Sequence, residues 1–187
     1  MNQALRIVCY LKNAPGCDLF YQSNIEFKIQ AFLDSDWATC ATTHYSVFGF
    51  CIFIGTSLIS WKSKKQSTVS RSSTEAEYRS LAYLMCELQW IQYILCDLHL
   101  SIPTPYVTFC DNSSEIQIAK NPTFHERTKH VEIDCHLIRQ KILDGLIHLL
   151  HVPSTHQLAD VFYQVSPSYT VSHSCFQAWL RKSICPA

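Results

Sequence analysis

Four carboxylates of this 187-residue chain stand where chemistry is possible: Asp34, Glu77, Asp111 and Asp160. Asp34 follows the apolar run AFL and Asp111 follows YVTFC, each at the carboxyl end of a predicted strand, the edge at which open α/β sheets bind ligands. Glu77 lies near the start of a long helical pattern and Asp160 in a late, short one. Like charges brought together repel, so such a cluster persists at neutral pH only when cations neutralise it. All-oxygen donors select Mg²⁺ or Mn²⁺. Two such ions about 3.5–4 Å apart clamp the attacking and leaving oxygens of an in-line phosphoryl displacement. The chemistry expected of this quartet is phosphodiester hydrolysis.

The element that must position Glu77 is the stretch from Ser72 to Leu100. Leu81, Leu84, Leu88, Ile91 and Leu95 recur at steps of three and four, one apolar stripe of a helix, and Glu77 continues that stripe at its N-terminal end. Locally two readings stand side by side. Thr74 and Glu77 match a capping box, Thr-x-x-Glu, which the local pattern alone favours; on the other reading Glu77 is a ligand or acid/base group held at the rim of the core by a rigid helix.

Around this helix the pattern predicts a strand over Phe27 to Trp37, and a hairpin of Val47 to Ile54 with Leu58 to Trp61 turning at Gly55-Thr56-Ser57. Val69 is placed in a third antiparallel strand. After Pro103 and Pro105 come a strand over Tyr106 to Cys110, a short helix over Ser113 to Lys120 capped by Ser113 or Ser114, and a longer helix over Thr128 to Asp144 closing on Gly145. A strand over Leu146 to Val152 and a helical turn over Gln157 to Gln164, capped by Ser154 or Thr155, follow. This order predicts an α/β fold with a mixed five-stranded sheet, three antiparallel then parallel strands, flanked by helices.

Composition sets the bounds. Hydrophobic content of 48% and charge of 16% exclude a disordered chain, and Lys plus Arg equals Asp plus Glu at 15 each, so a nucleic-acid surface must be local. The ten cysteines form no C-x-x-C pair and sit mostly in apolar segments, where free Cys acts as a small hydrophobe; a reduced, intracellular protein is expected. The N-terminus lacks a signal-peptide pattern, and the uncharged stretch from Ala38 to Trp61 is too polar and too interrupted by Gly49 and Gly55 to span a membrane.

From about Arg6 to Phe162 the sequence resembles the ribonuclease H domain at the C-terminal end of copia-type retrotransposon polyproteins. The resemblance rests on AFLDSDWA (Ala31 to Ala38), LISWKSKKQSTVSRSSTEAEY (Leu58 to Tyr78), CDN (Cys110 to Asn112), NPTFHERTKHVEIDCH (Asn121 to His136) and QLADVF (Gln157 to Phe162). It implies a ribonuclease H-like fold, cleavage of the RNA strand of an RNA–DNA hybrid, and two Mg²⁺ or Mn²⁺ ions held by Asp34, Glu77, Asp111 and Asp160. Asp34 would bridge both ions, Glu77 and Asp111 would complete the ion at the leaving group, and Asp160 would hold the ion that activates water; Asp36 is a neighbour of this set. The resemblance further implies residues 1–26 as the tail of a preceding reverse transcriptase, 27–165 as the nuclease domain and 166–187 as a weakly helical tail. An intracellular, cytoplasmic setting, including virus-like particles, goes with it. No membrane partner is expected, and the sequence says nothing of oligomeric state.

For substrate contacts, Lys62, Lys64, Lys65 and Arg71 form a basic run before the long helix, suited either to a phosphate backbone or to a solvated loop. Ser72, Ser73, Thr74 and Asn112 offer small donors and acceptors for ribose 2′-hydroxyls, and Arg127 and Lys129 make a second basic patch. His125, His130, Cys135 and His136 match no zinc spacing, and His156 is a weak candidate for a proton shuttle. His44 and Tyr45 stand where the family carries arginines, and Tyr163, Gln164 and Val165 where it continues Thr-Lys-Pro. Both departures remove cations and point to the alternative of a catalytically decayed remnant that still binds nucleic acid; a nuclease of the same fold acting on DNA alone is a separate alternative.

Overall fold

The computed structural model describes residues 19, 21, 23, 26–40, 42–120 and 132–162. The segments expected to be a polymerase tail and a C-terminal tail fall wholly or mostly outside these residues, as do Arg127, Lys129, His125 and His130.

Five strands, β1 (Ile29–Asp36), β2 (Val47–Ile54), β3 (Ser57–Lys65), β4 (Tyr106–Cys110) and β5 (Ile147–His151), form one sheet in the order β3-β2-β1-β4-β5. β1, β2 and β3 pair antiparallel, β4 joins β1 in parallel and β5 joins β4 in parallel, as the sequence predicts. The helices are α1 (Ser73–Asp97), α2 (Ser113–Lys120) and α3 (Glu132–Leu143), and two 3₁₀ turns follow β5 at Ser154–His156 and Leu158–Phe162.

Strand alternation sorts the side chains. Ile29, Ala31 and Leu33 of β1 pair across with Ile54, Ile52 and Phe50 and share one face. That face packs with the α1 stripe, and Leu81, Leu84, Leu88, Ile91 and Leu95 are all buried there. On the other face Phe32 stacks on Phe109 with centroids 4.7 Å apart and meets Phe53 edge-on at 5.9 Å. The β2–β3 turn needs only Gly55 and Thr56, with Gly55 at φ 59°. Gly145, at φ 68°, closes α3: its N–H meets the Ile142 carbonyl at 3.0 Å and the Leu146 N–H meets Lys141 at 3.0 Å.

Several local expectations are corrected. β3 runs to Lys65, beyond Trp61, because an edge strand needs only one partner and its solvated residues carry no apolar alternation to announce them. Val69 lies in no strand and is exposed. The N-cap of α1 is Ser72, whose Oγ accepts the Glu75 N–H at 3.2 Å, while Glu75 Oε2 accepts the Arg71 N–H at 2.7 Å. The capping box is therefore Ser72/Glu75, two residues before the Thr74/Glu77 pair, and Glu77 is released from that duty. α2 is capped by the Asn112 side chain, in place of Ser113 or Ser114.

Candidate active site

Buried polar anchors bring the start of α1 to the carboxyl end of β1. Gln66, just past β3, donates Nε2 to the Ala76 carbonyl at 2.7 Å and to Ser80 Oγ at 3.1 Å. Its backbone N–H reaches the Ser46 carbonyl at 2.8 Å. From the end of β1, the Trp37 indole N–H bonds the Ser70 carbonyl at 2.9 Å. These links carry Glu77 to the sheet edge where Asp34 and Asp111 emerge.

There a cleft of about 500 Å³ is lined by Asp34, Ser35, Asp36, Glu77, Asp111, Asn112 and Ser113. Three of the four expected acids face it. Asp160 does not line it: carried by the second 3₁₀ turn, in place of the expected helix, it is buried and hydrogen-bonded to Asp34. The quartet is nonetheless one electrostatic unit, since Asp34 feels the charges of Asp111 and Asp160, and Glu77 that of Asp111.

Burial, the hydrogen bond its protonated form donates to Asp160 and the charges of Asp111 and Asp160 push the Asp34 carboxyl up to about 10, against the opposing Ser35 N–H, which donates to Asp34 Oδ1 at 2.7 Å. Glu77 is pushed up to about 7, by burial first and then by the Asp111 charge, while Asn112 Nδ2, donating to Glu77 Oε2 at 2.5 Å, opposes the rise. Behind them lies Glu115 of α2, buried, with its pKa held well above the carboxylate range by burial and by the charges of Glu77 and Asp111. Asp111 accepts the Ser154 hydroxyl at 2.9 Å on Oδ2, so Ser154 serves this carboxylate and not the expected cap.

The donor set is oxygen only, and its crowding raises the carboxyl pKa values of Asp34 and Glu77. By chemistry it fits a hard divalent ion. Among the described residues no three His, Cys, Asp or Glu side chains stand in an arrangement that could hold a metal ion, and Asp34, Asp36, Glu77 and Asp111 line an open cleft.

The candidate substrate residues divide. Lys62, Lys64 and Lys65 are exposed on β3, but Lys62 and Lys64 register with Phe50 and Phe48 on the α1 face, whereas Lys65 registers with Val47 on the other. Lys64 lies over the Tyr83 ring at 5.8 Å and Lys65 over Tyr45 at 5.5 Å. Arg71 and Ser73 are exposed and Thr74 is half-buried beside them, with the Ser72 hydroxyl engaged as the cap. Sequence reasoning left Gln157 without a role, although it stands in the quoted QLADVF stretch. It is buried, donates Nε2 to the Leu33 carbonyl at 2.8 Å, and accepts the Ala159 N–H at 3.3 Å. A polar residue three positions before a buried acid was the available signal.

A five-stranded sheet in this strand order, flanked by helices, is a ribonuclease H-like fold. The fold matches LC11-RNase H1, solved in complex with an RNA/DNA hybrid, with a TM-score of 0.56 at 12% identity over 72% of this chain and 93% of that one. It matches RNase H1 from the archaeon Halobacterium salinarum with a TM-score of 0.50 at 14% identity over 72% and 93%. In sequence the chain is 38% identical over 181 residues, 97% of its length, to the retrovirus-related Pol polyprotein from transposon RE2 of Arabidopsis thaliana. It is 31% identical over 161 residues, 86% of its length, to that from transposon TNT 1-94 of Nicotiana tabacum. No protein-family profile matches the chain. Over most of its length the chain is thus similar to retrovirus-related Pol polyproteins of plant transposons, and it spans 12% of the length of these relatives.

Proposed function

We propose that this domain is a metal-dependent endonuclease that hydrolyses the RNA strand of an RNA–DNA hybrid. The observation that carries the reading is the gathering of Asp34, Glu77 and Asp111 around one cleft, with Asp160 buried against Asp34. Asp34, Glu77, Asp111 and Asp160 would hold the ions. When bound, the ions supply Lewis-acid polarisation of the phosphate and a water acidic enough to attack it. The chain's own residues orient and shield. Ser154 fixes one oxygen of Asp111, Ser35 one oxygen of Asp34, and the buried Asp160 backs Asp34 from the protein side. The exposed Lys62 and Lys64 suit a phosphate backbone, and a polymerase fused upstream, as the Pol relatives suggest, would deliver the hybrid. Mg²⁺ and Mn²⁺ serve the same donor set.

The Asp160 carboxyl, buried, hydrogen-bonded to Asp34 and outside the cleft lining, favours a second reading, nucleic-acid binding without turnover. One assay separates the two. With the 187-residue chain in Mg²⁺, cleavage of the RNA strand of a hybrid is expected, and duplex DNA and duplex RNA should remain intact. Asp111→Asn should lower the rate at least about 100-fold, the loss of several kcal/mol of charge stabilisation. Hybrid binding with no cleavage, or cleavage unchanged in Asp111→Asn, would retire the enzyme; cleavage of duplex DNA alone would replace its substrate.

A further inference from the structure

We propose that Asn112 is a positioning residue that fixes the Glu77 carboxylate for divalent-ion binding, in place of the ribose contact that the sequence suggests for it. The inference rests on the reading of the acids as ion ligands. Asn112 directly follows Asp111 at the end of β4, and its side chain is used from both sides. Its Oδ1 accepts the backbone N–H groups of Ser114 at 2.9 Å and Glu115 at 3.4 Å, the free donors at the start of α2. With the amide oxygen turned to the helix, the amide nitrogen must face the other way, and there Nδ2 donates to Glu77 Oε2 at 2.5 Å. Its carbonyl is engaged twice by the helix start and one of its two amide N–H groups by Glu77.

This geometry answers a specific difficulty. Glu77 is a long side chain with several rotatable bonds, it stands at the cleft wall, and the Asp111 charge repels it. A donor anchored one residue from Asp111, and locked in turn by the helix start, holds Glu77 at a set place relative to Asp111. The same residue thus ties three elements together: the end of β4, the N-terminus of α2 and the first turns of α1. Partners that orient ion ligands in this way typically account for about 10- to 100-fold in ion affinity.

The test is Mn²⁺ binding to the full chain by titration calorimetry, without substrate. Asn112→Asp keeps an acceptor for the helix start but loses the donor to Glu77; Asn112→Ala loses both. Both variants should bind Mn²⁺ about 10-fold or more weakly, with Asn112→Ala alone showing a lower unfolding midpoint. In a Glu77→Gln background Asn112→Ala should change Mn²⁺ affinity no further, since its effect passes through Glu77. Mn²⁺ affinity unchanged in Asn112→Ala, where Glu77→Gln lowers it, overturns the inference and leaves the nuclease reading standing. Affinity unchanged in Glu77→Gln itself overturns the ion-ligand reading. Altered discrimination between hybrid and duplex DNA at constant Mn²⁺ affinity would return Asn112 to the sugar.

Discussion

Gln157 donates to the Leu33 carbonyl at 2.8 Å and so joins the turn that carries Asp160 to the strand that carries Asp34, across 124 positions of sequence. Leu33 lies just past the last β1 residue that pairs with β4, Phe32 with Phe109, and the buried amide takes up a backbone group beyond the ladder. Gln157→Ala strands that carbonyl, and a buried unsatisfied group costs about 1–3 kcal/mol. The expected result is a loss of about 2 kcal/mol in urea unfolding, with a drop in hybrid cleavage that persists where the variant is fully folded. An unchanged rate under those conditions would show that Asp160 keeps its place without the latch.

Asp34→Asn tests the shared proton. Asp34 and Asp160 are hydrogen-bonded carboxyls in a crowded acidic setting, and an amide in place of one removes a charge conflict without removing a donor. In metal-free buffer the variant should be more stable by about 1 kcal/mol, in line with the gain on relieving unfavourable buried charge. Added Mg²⁺ should raise the unfolding midpoint of the unmodified protein, because a ligand that binds only the folded state stabilises it. It should leave Asp34→Asn unmoved. Equal Mg²⁺ stabilisation of both proteins would remove Asp34 from the ion site.

Much of this architecture is legible in the sequence. Val47–Ile54 and Tyr106–Cys110 have the bounds expected from their apolar and β-branched runs, and the α1 stripe is buried along its whole length. Glu77 was ambiguous because two overlapping Ser/Thr-x-x-Glu frames lie at one helix start; only hydrogen bonding shows that Ser72 and Glu75 use theirs. The second half of β3 carries three lysines and so has no hydrophobic period to betray a strand. The roles of Asn112, Ser154 and Gln157 depend on partners 35, 43 and 124 positions away, and no local pattern encodes such register.

Glu115 sets a pH dependence of known sign. It is 2% exposed, its Oε1 has no hydrogen-bond partner, and its pKa stands well above the ordinary 4.5 through burial and the Glu77 and Asp111 charges. The folded protein therefore keeps a proton that the unfolded chain gives up above about pH 4.5. Stability linked to this group is fully present below that pH and is lost as pH rises toward the folded value. Asp34 and Glu77, raised to about 10 and about 7, act with the same sign. Metal-free protein should thus be less stable at pH 7 than at pH 5 in urea titrations. Glu115→Met should flatten that slope and gain about 1–3 kcal/mol at pH 7. A slope unchanged by the substitution would mean that Glu115 ionises alike in both states.

The three β3 lysines distinguish the path of the hybrid. Lys62 and Lys64 share the face on which α1 lies, and Lys64 rests on Tyr83 of that helix, whereas Lys65 points to the opposite face over Tyr45. One phosphate backbone cannot lie along both faces of an edge strand. Because α1 also carries Glu77, the backbone should follow Lys62 and Lys64. Lys62→Ala and Lys64→Ala should each lower the slope of log affinity against log salt by about 0.9 per lost phosphate contact, with the cleavage rate at saturating hybrid unchanged. Lys65→Ala should leave the slope alone. A slope that responds to Lys65→Ala and not to the other two would put the hybrid on the face that carries Phe32 and Phe109.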